Sequence, residues 1–373
     1  MSRWSQSKSC GLVFFIGLVF LLQLSGTIAA TPAGAAEGWQ QAWEKTKAAA
    51  AKEGRLVLYS SAGSAVRTPL TAYFSKNFNI NLEWVAARNA ELSERVSREH
   101  RAGIYAGDIY FSGTSAITEI GDTVLEPLDP LLILPEVTDK KAWEGGDLPA
   151  IDEKRTWVGL LAFPQPPILI NTNMVKPGEV KSYKDLLHPK WKKEIVMYVP
   201  TTGAGLAWAY NVGEVIMSRD YLRAFAKQEP IILDNSRQQC EWVARGKHPI
   251  AIGARSENQT EFINLKAPVQ LISPIEGVHL TSSAGGVGIF RKAPHPNASK
   301  LFMNWALSKE GGTLISKAVG GQSARVDVPT DFLDPNMVRQ PGIKYFNTMS
   351  MKHIEKKQAF VPIAKEIFGS LMQ

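Results

Sequence analysis

The sequence predicts an α/β protein made of two lobes, and three observations support this fold class. Residues 55–111 alternate short apolar strands with helices, which is typical of a parallel sheet. A proline-rich extended stretch at 159–171 precedes a second α/β unit, and another extended segment, 269–274, is expected to return the chain to the first unit. We therefore expect a mixed sheet flanked by helices in each lobe, with two extended strands as a hinge between them.

The N-terminus predicts an exported protein. Arg3 and Lys8 precede an apolar run at 11–24, and small residues follow, as in a cleaved secretory signal peptide at 1–30. The run is shorter than the roughly 20 residues needed to span a bilayer, although an uncleaved anchor is the alternative. Cys10 lies before the run, where lipid attachment does not occur. The expected product is a soluble periplasmic protein.

Composition excludes several classes of function. The formal net charge is +7, but the basic residues are spread along the chain. The sequence therefore lacks the basic patch that nucleic-acid binding requires. We interpret the densest cluster, at 190–193, as a solvated helix end. Once the signal peptide is removed, Cys240 is the one cysteine left, so no intramolecular disulfide is expected. The six histidines lack zinc-site spacing, and we expect neither a metal nor a cofactor.

The first lobe is expected to follow a simple order. A helix at 39–53 is ended by Gly54, and apolar strands then alternate with helices. Small polar loops follow two of these strands, because serines and glycines cluster there. The predicted strands are 55–59, 80–85 and 108–111, the predicted helix between the last two is 92–102, and the polar loops are 60–64 and 112–115.

The second lobe repeats this arrangement. A short helix at 183–187 leads into a strand, a glycine-rich polar loop and a longer helix. The remaining predicted elements of this part are strands at 194–198, 230–234 and 249–254, the polar loop 200–205, and helices at 206–217 and 238–245. Loops after parallel strands gather at the carboxyl edge of the sheet, where helix N-termini present free N–H groups.

Several stretches resemble one protein family. They are 54–60, 97–113 around Asp108, 183–192, 293–308, Gly311 and 321–327. With these stretches the chain resembles the ferric-iron-type branch of the family 1 extracellular solute-binding proteins of ABC importers. The resemblance implies a type 2 periplasmic-binding fold, a monomer, and delivery of a solute to a membrane permease and its ATPase.

The two crossings divide the chain into lobes. Residues 37–163 and 272–330 are expected to form a discontinuous first lobe. Residues 164–271 and 331–373 are expected to form the second lobe. A cleft between hinged lobes suits capture of a small molecule by closure.

Direct binding of ferric iron is an alternative within the same family. Members that hold iron directly carry adjacent tyrosines just after the strand that corresponds to 249–254. This chain has Arg255 and Glu257 in that loop instead, and Glu257 is its one charged oxygen donor. A polar or anionic organic solute therefore fits the loop better than iron does.

The candidate solute-binding residues lie in the polar loops. Hydroxyls and small residues let N–H groups approach an oxyanion, and arginines can form bidentate bonds to a carboxylate or phosphate. The resemblance places an anion site of the relatives at the second-lobe loop. The candidates are Ser60, Ser61, Arg88, Ser112, Gly113, Thr114, Thr201, Thr202, Gly203, Trp208, Asn235, Ser236, Arg255, Glu257 and Ser283.

Each candidate has a structural alternative. Serines and threonines after strands often only cap helices. Arg88 has Glu91 and Glu94 within helical reach, so a surface ion pair is an equal explanation. Trp208 is the aromatic residue expected to stack on a flat solute, although most aromatic residues in these segments belong to the core.

Other classes of function find less support. A secreted hydrolase would need a nucleophile and a base, and the sequence has no G-x-S-x-G elbow. A nucleotide enzyme would need a P-loop or a complete G-x-G-x-x-G, and neither occurs. A receptor that signals to a sensor would use the same fold as a transport protein. We therefore expect a binding protein and not an enzyme.

Overall fold

The computed structural model describes residues 33–120 and 123–372, with side chains from Gly38 onward. The predicted signal peptide lies outside these residues. The helices are α1 Ala33–Glu53, α2 Ser64–Phe78, α3 Asn89–Arg101, α4 Ile117–Ile120, α5 Pro135–Thr138, α6 Gly203–Tyr210, α7 Arg219–Ala226, α8 Ser236–Ala244, α9 Ser256–Asn264, α10 Pro296–Leu307, α11 Lys309–Val319, α12 Met351–Ala359 and α13 Val361–Phe368. None of these described helices is long and apolar enough to cross a membrane.

The strands form three sheets. They are β1 Arg55–Ser60, β2 Asn81–Ala86, β3 Ile109–Ser112, β4 Val158–Gly159, β5 Phe163–Pro164, β6 Ile168–Asn171, β7 Ile195–Tyr198, β8 Ile231–Leu233, β9 Ile250–Ile252, β10 Val269–Ile272, β11 Val278–Thr281, β12 Gly286–Ile289 and β13 Tyr345–Phe346. The three sheets belong to the first lobe, the second lobe and the connection between them.

The first lobe contains a mixed sheet in the order β2-β1-β3-β12-β4. β1 pairs in parallel with β2 and β3, while β12 runs antiparallel to β3 and to β4. The strands are short, apolar and buried, and helices α1, α2, α10 and α11 pack against one another beside them. The strand-helix alternation of the sequence thus produces the predicted parallel strands, and the returning strand β12 makes the sheet mixed.

The second lobe contains a mixed sheet in the order β10-β6-β9-β7-β8. β7 is parallel to β8 and β9, whereas β6 is antiparallel to β9 and β10. β10 covers most of the segment 269–274 that was predicted as an extended crossing. It is a strand of the second sheet because its residues complete the hydrogen bonds of β6, so the return to the first lobe begins after Ile272.

The hinge is a small sheet in the order β13-β11-β5. β5 and β11 are antiparallel and carry the chain in opposite directions between the lobes. The hinge thus contains two crossing strands, as predicted, but the second is β11 and not the segment 269–274. β13 adds a third strand, parallel to β11, because the chain passes between the lobes a third time before α12. The backbone of α12 is tied to the first lobe, since Met351 N donates to the carbonyl of Ile151 at 3.0 Å.

Two hydrophobic cores fill the molecule. The first occupies the first lobe and continues onto one face of the second sheet through Leu169, Val196 and Ala251. The second core lies on the other face of that sheet, where the alternate residues Ile168 and Ile195 point, and it includes α13. This alternation follows from the two-residue period of a strand.

Several predicted boundaries differ from the structure, and two helix starts matter for the site. α3 begins at Asn89, three residues before its predicted start, because Arg88 is the extended N-cap residue. α6 begins at Gly203, inside the predicted loop, and continues into a π-helix at Asn211–Ile216. The predicted helix at 183–187 is a 3₁₀-helix whose N-terminus is closed by a capping box between Ser182 and Asp185.

A cleft between two polar faces

The carboxyl end of β9 adjoins the hinge. Gly253 N donates to the carbonyl of Pro167 at 2.9 Å, and Gln165 Nε2 donates to the carbonyl of Ala254 at 3.3 Å. Pro167 and Gln165 belong to the segment that leaves the first lobe. The loop that follows β9 therefore starts beside the connection between the lobes.

The corresponding end of the first sheet adjoins the same connection. Leu161 N donates to Ser282 Oγ at 3.3 Å, and Leu160 N donates to the carbonyl of Gly285 at 2.8 Å. Gly286, which follows, lies opposite Ser112 at the end of β3. The polar loops of both sheets thus meet the hinge from opposite sides, and the space between them is the candidate solute cleft.

The first-lobe face consists of Ser61, Asn89 and Ser112, which follow three adjacent parallel strands. Ser61 Oγ and Ser112 Oγ are 2.6 Å apart, and Ser112 Oγ also donates to Asn89 Oδ1. Gly113 lies against the Asn89 amide and the Ser283 carbonyl, so these segments form one surface. The sequence predicted all of these residues except Asn89, which starts α3 three residues after the end of β2 and could have been found from that position.

Three further first-lobe candidates, Ser60, Thr114 and Ser283, make hydrogen bonds that stabilise the loops. Ser60 is buried, and its hydroxyl accepts from Ala62 N at 3.0 Å to form the turn after β1. The carbonyl of Thr114 accepts from Trp157 Nε1 at 3.1 Å. Ser283 adopts φ +47° and its N–H donates to Thr281 Oγ1 at 3.1 Å. These contacts shape the loops that bound the cleft.

Arg88 adopts the alternative that its sequence context allowed. Its side chain is 90% exposed and pairs with Glu91 at 2.8 Å. An exposed i, i+3 pair of this kind contributes little to stability and leaves the guanidinium in water. The structure does not bring Arg88 together with the first-lobe face.

The second lobe carries a pocket of about 390 Å³ at its carboxyl edge. The second-lobe pocket is lined by Tyr198, Asp234, Asn235, Ser236, Arg237, Arg255, Glu257 and Asn258. Four of these residues, Asn235, Ser236, Arg255 and Glu257, were predicted from the sequence. Tyr198 and Asp234 were not, although each lies at or just after the end of a predicted strand.

Three helices start around the second-lobe pocket because three adjacent parallel strands end there. α6 follows β7, α8 follows β8, and α9 follows β9. Asn235 Oδ1 caps α8 by accepting from Gln238 N at 3.0 Å. The N-cap residues Thr202 of α6 and Arg255 of α9 make no side-chain cap bond. Uncapped helix N-termini leave N–H donors and a partial positive charge directed at this edge.

Arg255 is available to a solute. Its side chain is 51% exposed, and its one ion-pair contact, with Glu257, is a long 3.8 Å. The guanidinium carbon lies 5.9 Å from the ring centre of Tyr198, and the backbone N–H donates to Ser236 Oγ at 2.8 Å. The backbone is fixed while most of the guanidinium donors are unused.

Arg237 differs from Arg255 because it is already paired. Its guanidinium makes a forked contact with Glu261, with Nη2 to Oε1 at 2.7 Å. This hydrogen-bonded carboxylate raises the pKa of Arg237 above its ordinary value. Arg237 therefore contributes positive charge to the pocket wall, while its donors are directed at Glu261.

The loop before α6 approaches its strand closely. Gly203 adopts φ +54°, a left-handed conformation that favours glycine. A Cβ on Gly205 would lie 2.1 Å from the carbonyl oxygen of Val199, so only glycine fits there. Thr202 is exposed and Thr201 half-buried beside this turn. The glycines thus hold the uncapped start of α6 against the end of β7.

Trp208 requires a correction. It was expected to stack on the solute, but its side chain is fully buried against Phe225, with ring centres 5.3 Å apart. It also packs on Gly253. Position 208 lies on the helix face that turns toward the second sheet, and a large aromatic side chain there contributes most by burial.

No group of three or more acidic, histidine or cysteine residues that could hold a metal occurs within residues 33–120 and 123–372. Cys240 is a buried free thiol, and burial raises its pKa to about 12. It is therefore protonated at neutral pH and packs as a small apolar residue.

The fold and its two polar faces define a protein that holds a small molecule between two lobes. The family described as bacterial extracellular solute-binding protein matches residues 157–318. This match agrees with the resemblance that the sequence motifs carry. Proteins of this family bind solutes and are not enzymes.

Similar proteins agree with this assignment. An uncharacterized protein of Haemophilus influenzae is 28% identical and covers 84% of this chain and 92% of that protein. The structure of the Trichodesmium protein IdiA (FutA) with iron and citrate matches at a TM-score of 0.63 and 19% identity, covering 85% of this chain and 99% of that one. The structure of the periplasmic binding protein AfuA of Actinobacillus pleuropneumoniae with bound fructose-6-phosphate matches at a TM-score of 0.60 and 19% identity. The match covers 84% of this chain and 99% of that one. The two structural likenesses show the two-lobed fold.

Proposed function

We propose that this protein captures a small organic anion in the cleft and delivers it to the permease and ATPase of an ABC importer. The observation that carries the proposal is the meeting of two uncapped helix N-termini with the under-used guanidinium of Arg255 in the second-lobe pocket. N–H groups and an arginine together are a strong anion site.

The remaining pocket residues favour an organic anion over a bare inorganic one. Asp234 and Glu257 lie in the same pocket as Arg255, and carboxylates accept hydrogen bonds from hydroxyl or amine groups. A ligand with an anionic group and neutral donors would use both kinds of residue. The Trichodesmium and Actinobacillus structures contain citrate and fructose-6-phosphate, respectively, and both of these are organic anions.

Closure provides the mechanism. The solute binds first to the second-lobe pocket, and the first-lobe face completes its surroundings when the hinge bends. A ligand shifts the population toward the closed form only by its extra affinity for that form. Contacts made by both lobes at once are therefore the ones that drive closure, and the permease receives the closed form.

The proposal includes the setting of the molecule. The protein works in the periplasm after cleavage of its signal peptide, as a monomer, without a cofactor and without chemical change to the solute. Residues 37–163 and 272–330 move as one lobe and residues 164–271 as the other, and of the C-terminal segment 331–373 the helix α13 moves with the second lobe.

Replacing Arg255 tests the solute site. We expect Arg255→Ala to weaken binding of an organic anion by about 1.5 to 3 kcal/mol, the size of a charged hydrogen bond. A thermal-shift screen of the mature protein against phosphates, phosphonates, carboxylates and sugar phosphates selects the ligand, and calorimetry then measures its affinity.

Arg245→Ala is the matched control. Arg245 is a 77% exposed arginine at the opposite end of α8, paired with Glu241 at 2.7 Å. Its removal lowers the net charge equally but is expected to leave the affinity unchanged. Equal affinity of the Arg255→Ala and native proteins would exclude this pocket, and turnover of the bound compound would exclude a transport role.

A further inference from the structure

Arg67 is a half-buried arginine of α2 whose Nε atom lacks a hydrogen-bond partner among the described residues. Its backbone N–H donates to the carbonyl of Gly63 at 3.1 Å, so it belongs to the first turns of the helix that follows the loop of Ser61. Its Nε atom is fully buried and has no hydrogen-bond acceptor within the described chain. No ion pair of Arg67 occurs in the described residues either.

The unpaired Nε of Arg67 requires an explanation. Arginine stays charged at all accessible pH values, and buried polar groups in native proteins nearly always have a partner. Leaving such a donor unpaired costs free energy comparable to a lost hydrogen bond, more when the group is charged. An acceptor from outside the described chain would remove this cost.

The position of Arg67 indicates where that acceptor would be. One turn along α2, Thr71 Oγ1 accepts from Trp84 Nε1 of β2 at 2.8 Å, so this side of the helix covers β2. α2 starts where β1 ends, and β1 and β2 are parallel. Arg67 thus lies toward the carboxyl edge of the first sheet, the edge that carries the first-lobe face.

Four other polar residues of this edge are already paired. Ser61, Ser112 and Asn89 bond to one another, and Arg88 is paired with Glu91. Arg67, in contrast, has an unused donor beside these paired residues. The second lobe has its counterpart in Arg255.

We propose that Arg67 is the first-lobe ligand of the solute, and that the solute carries two separate anionic groups, one for each lobe. This inference rests on the proposed function and specifies its substrate class. A compound with a single anionic group satisfies one lobe and leaves the other arginine unpaired. A compound with two groups bridges the lobes, so its affinity for the closed form exceeds its affinity for the open form.

Pairs of compounds that differ by one acidic group test this inference. Suitable probes are phosphonoacetate against methylphosphonate, succinate against butyrate, and 3-phosphoglycerate against glycerol 3-phosphate, each titrated by calorimetry. We expect the two-acid member of at least one pair to bind roughly 10- to 100-fold more tightly, as a charged hydrogen bond would give. Arg67→Ala is expected to abolish that difference and to leave the one-acid affinity unchanged.

Two further variants keep the test interpretable. Arg67→Gln preserves the length and polarity of the side chain and is expected to lose the same preference, which separates charge from packing. Arg55→Ala removes an arginine at the opposite edge of the same sheet, where it pairs with Glu83 at 2.8 Å, and is expected to retain the preference. Circular dichroism melting confirms that each variant is folded.

The outcomes separate the two proposals. If one-acid compounds bind in an Arg255-dependent way and Arg67 variants bind every probe like the native protein, this inference is wrong and the proposed function stands. If no anionic probe of either kind binds, both proposals fail. A native preference for two-acid probes that survives in Arg67→Ala would also reject Arg67 as the ligand.

Discussion

At the scale of single residues, Gly205 shows how sequence positions the site. It has no functional group, yet any side chain there would meet the carbonyl oxygen of Val199 at 2.1 Å. Backbone cannot move away as the end of a flexible side chain can, so the start of α6 would have to shift. The N–H groups at that start are the donors proposed to bind the solute.

We expect Gly205→Ala to destabilise the protein by about 1 to 3 kcal/mol, the usual cost of overpacking, and also to weaken solute binding. Urea unfolding and calorimetry measure the two effects. Gly38→Ala is the control, because Gly38 lies in α1 with no atom near its missing Cβ. Alanine is the better helix former, so Gly38→Ala should gain up to about 1 kcal/mol. A native-like Gly205→Ala protein would show that the close approach is not required.

At the scale of elements, α12 connects the two lobes. Its first residue is bonded to the backbone of Ile151 in the first lobe. Two residues later, His353 Nδ1 and Tyr210 OH are 2.7 Å apart, and Tyr210 belongs to α6 of the second lobe. The helix therefore joins α6, the helix that starts at the second-lobe pocket, to the first lobe.

Tyr210→Phe removes the hydrogen bond that joins α12 to α6. We expect a loss of about 1 kcal/mol in the free energy of unfolding and faster hydrogen exchange in α12. Tyr221→Phe is matched, because Tyr221 OH donates to the carbonyl of Tyr183 at 2.7 Å within the second lobe. It should lose similar stability without altering exchange in α12. Unchanged exchange in Tyr210→Phe would show that this bond does not hold the helix.

At the scale of the whole molecule, the hinge contains a buried histidine. His279 of β11 is 3% exposed, and neither ring nitrogen has a partner in the described structure. Burial lowers the pKa of His279 from 6.5 to about 4, and the positive charge of Lys357 lowers it further. Burial also lowers the pKa of Lys357. The hinge therefore contains a neutral imidazole at neutral pH.

This histidine predicts a pH dependence of stability. The unfolded chain binds a proton near pH 6.5, whereas the folded chain binds it only near pH 4, so stability falls as pH falls between these values. The loss attributable to His279 is about 3 kcal/mol by pH 4. We expect His279→Leu to show a correspondingly smaller loss in melting experiments across this range.

His188→Gln is the control for the hinge experiment, because His188 is exposed on the second lobe. It should retain the full loss of stability between pH 6.5 and 4. Lys357→Met should reduce the loss, since removing a neighbouring positive charge moves the pKa of His279 back toward its ordinary value. Parallel curves for the native and His279→Leu proteins would remove His279 as the cause.

Much of the fold could be predicted because local signals and tertiary structure agree. The alternation of strands and helices at 55–111 predicted the parallel strands of the first sheet, and the prolines before β6 predicted the first crossing between the lobes. β10 was misassigned because an edge strand and an extended crossing share one apolar pattern, and only pairing with β6 separates them. The additional hinge strand β13 has two residues, too few for a periodic signal.

The site was predicted less completely than the fold. Position after a strand identified Ser61, Ser112 and Arg255, since that position alone brings a residue to the carboxyl edge. Trp208 was misjudged because a helix has an inner and an outer face near its start, and the sequence does not specify which face the tryptophan occupies. Arg67 could not be found, because its signal is the absence of a partner in three dimensions.

The strand order of the first sheet has a mechanical consequence. β4 leads into the hinge, and β2 lies at the opposite margin, so the three tethers sit on one flank of the lobe. When such a body rotates about its tethered flank, displacement grows with distance from the axis. Groups beside β2 sweep the longest arc, whereas the loop after β9 scarcely travels. An acidic group of the solute that is bound beside β2 consequently acts at the greatest distance from the hinge and has the largest effect on the angle between the lobes.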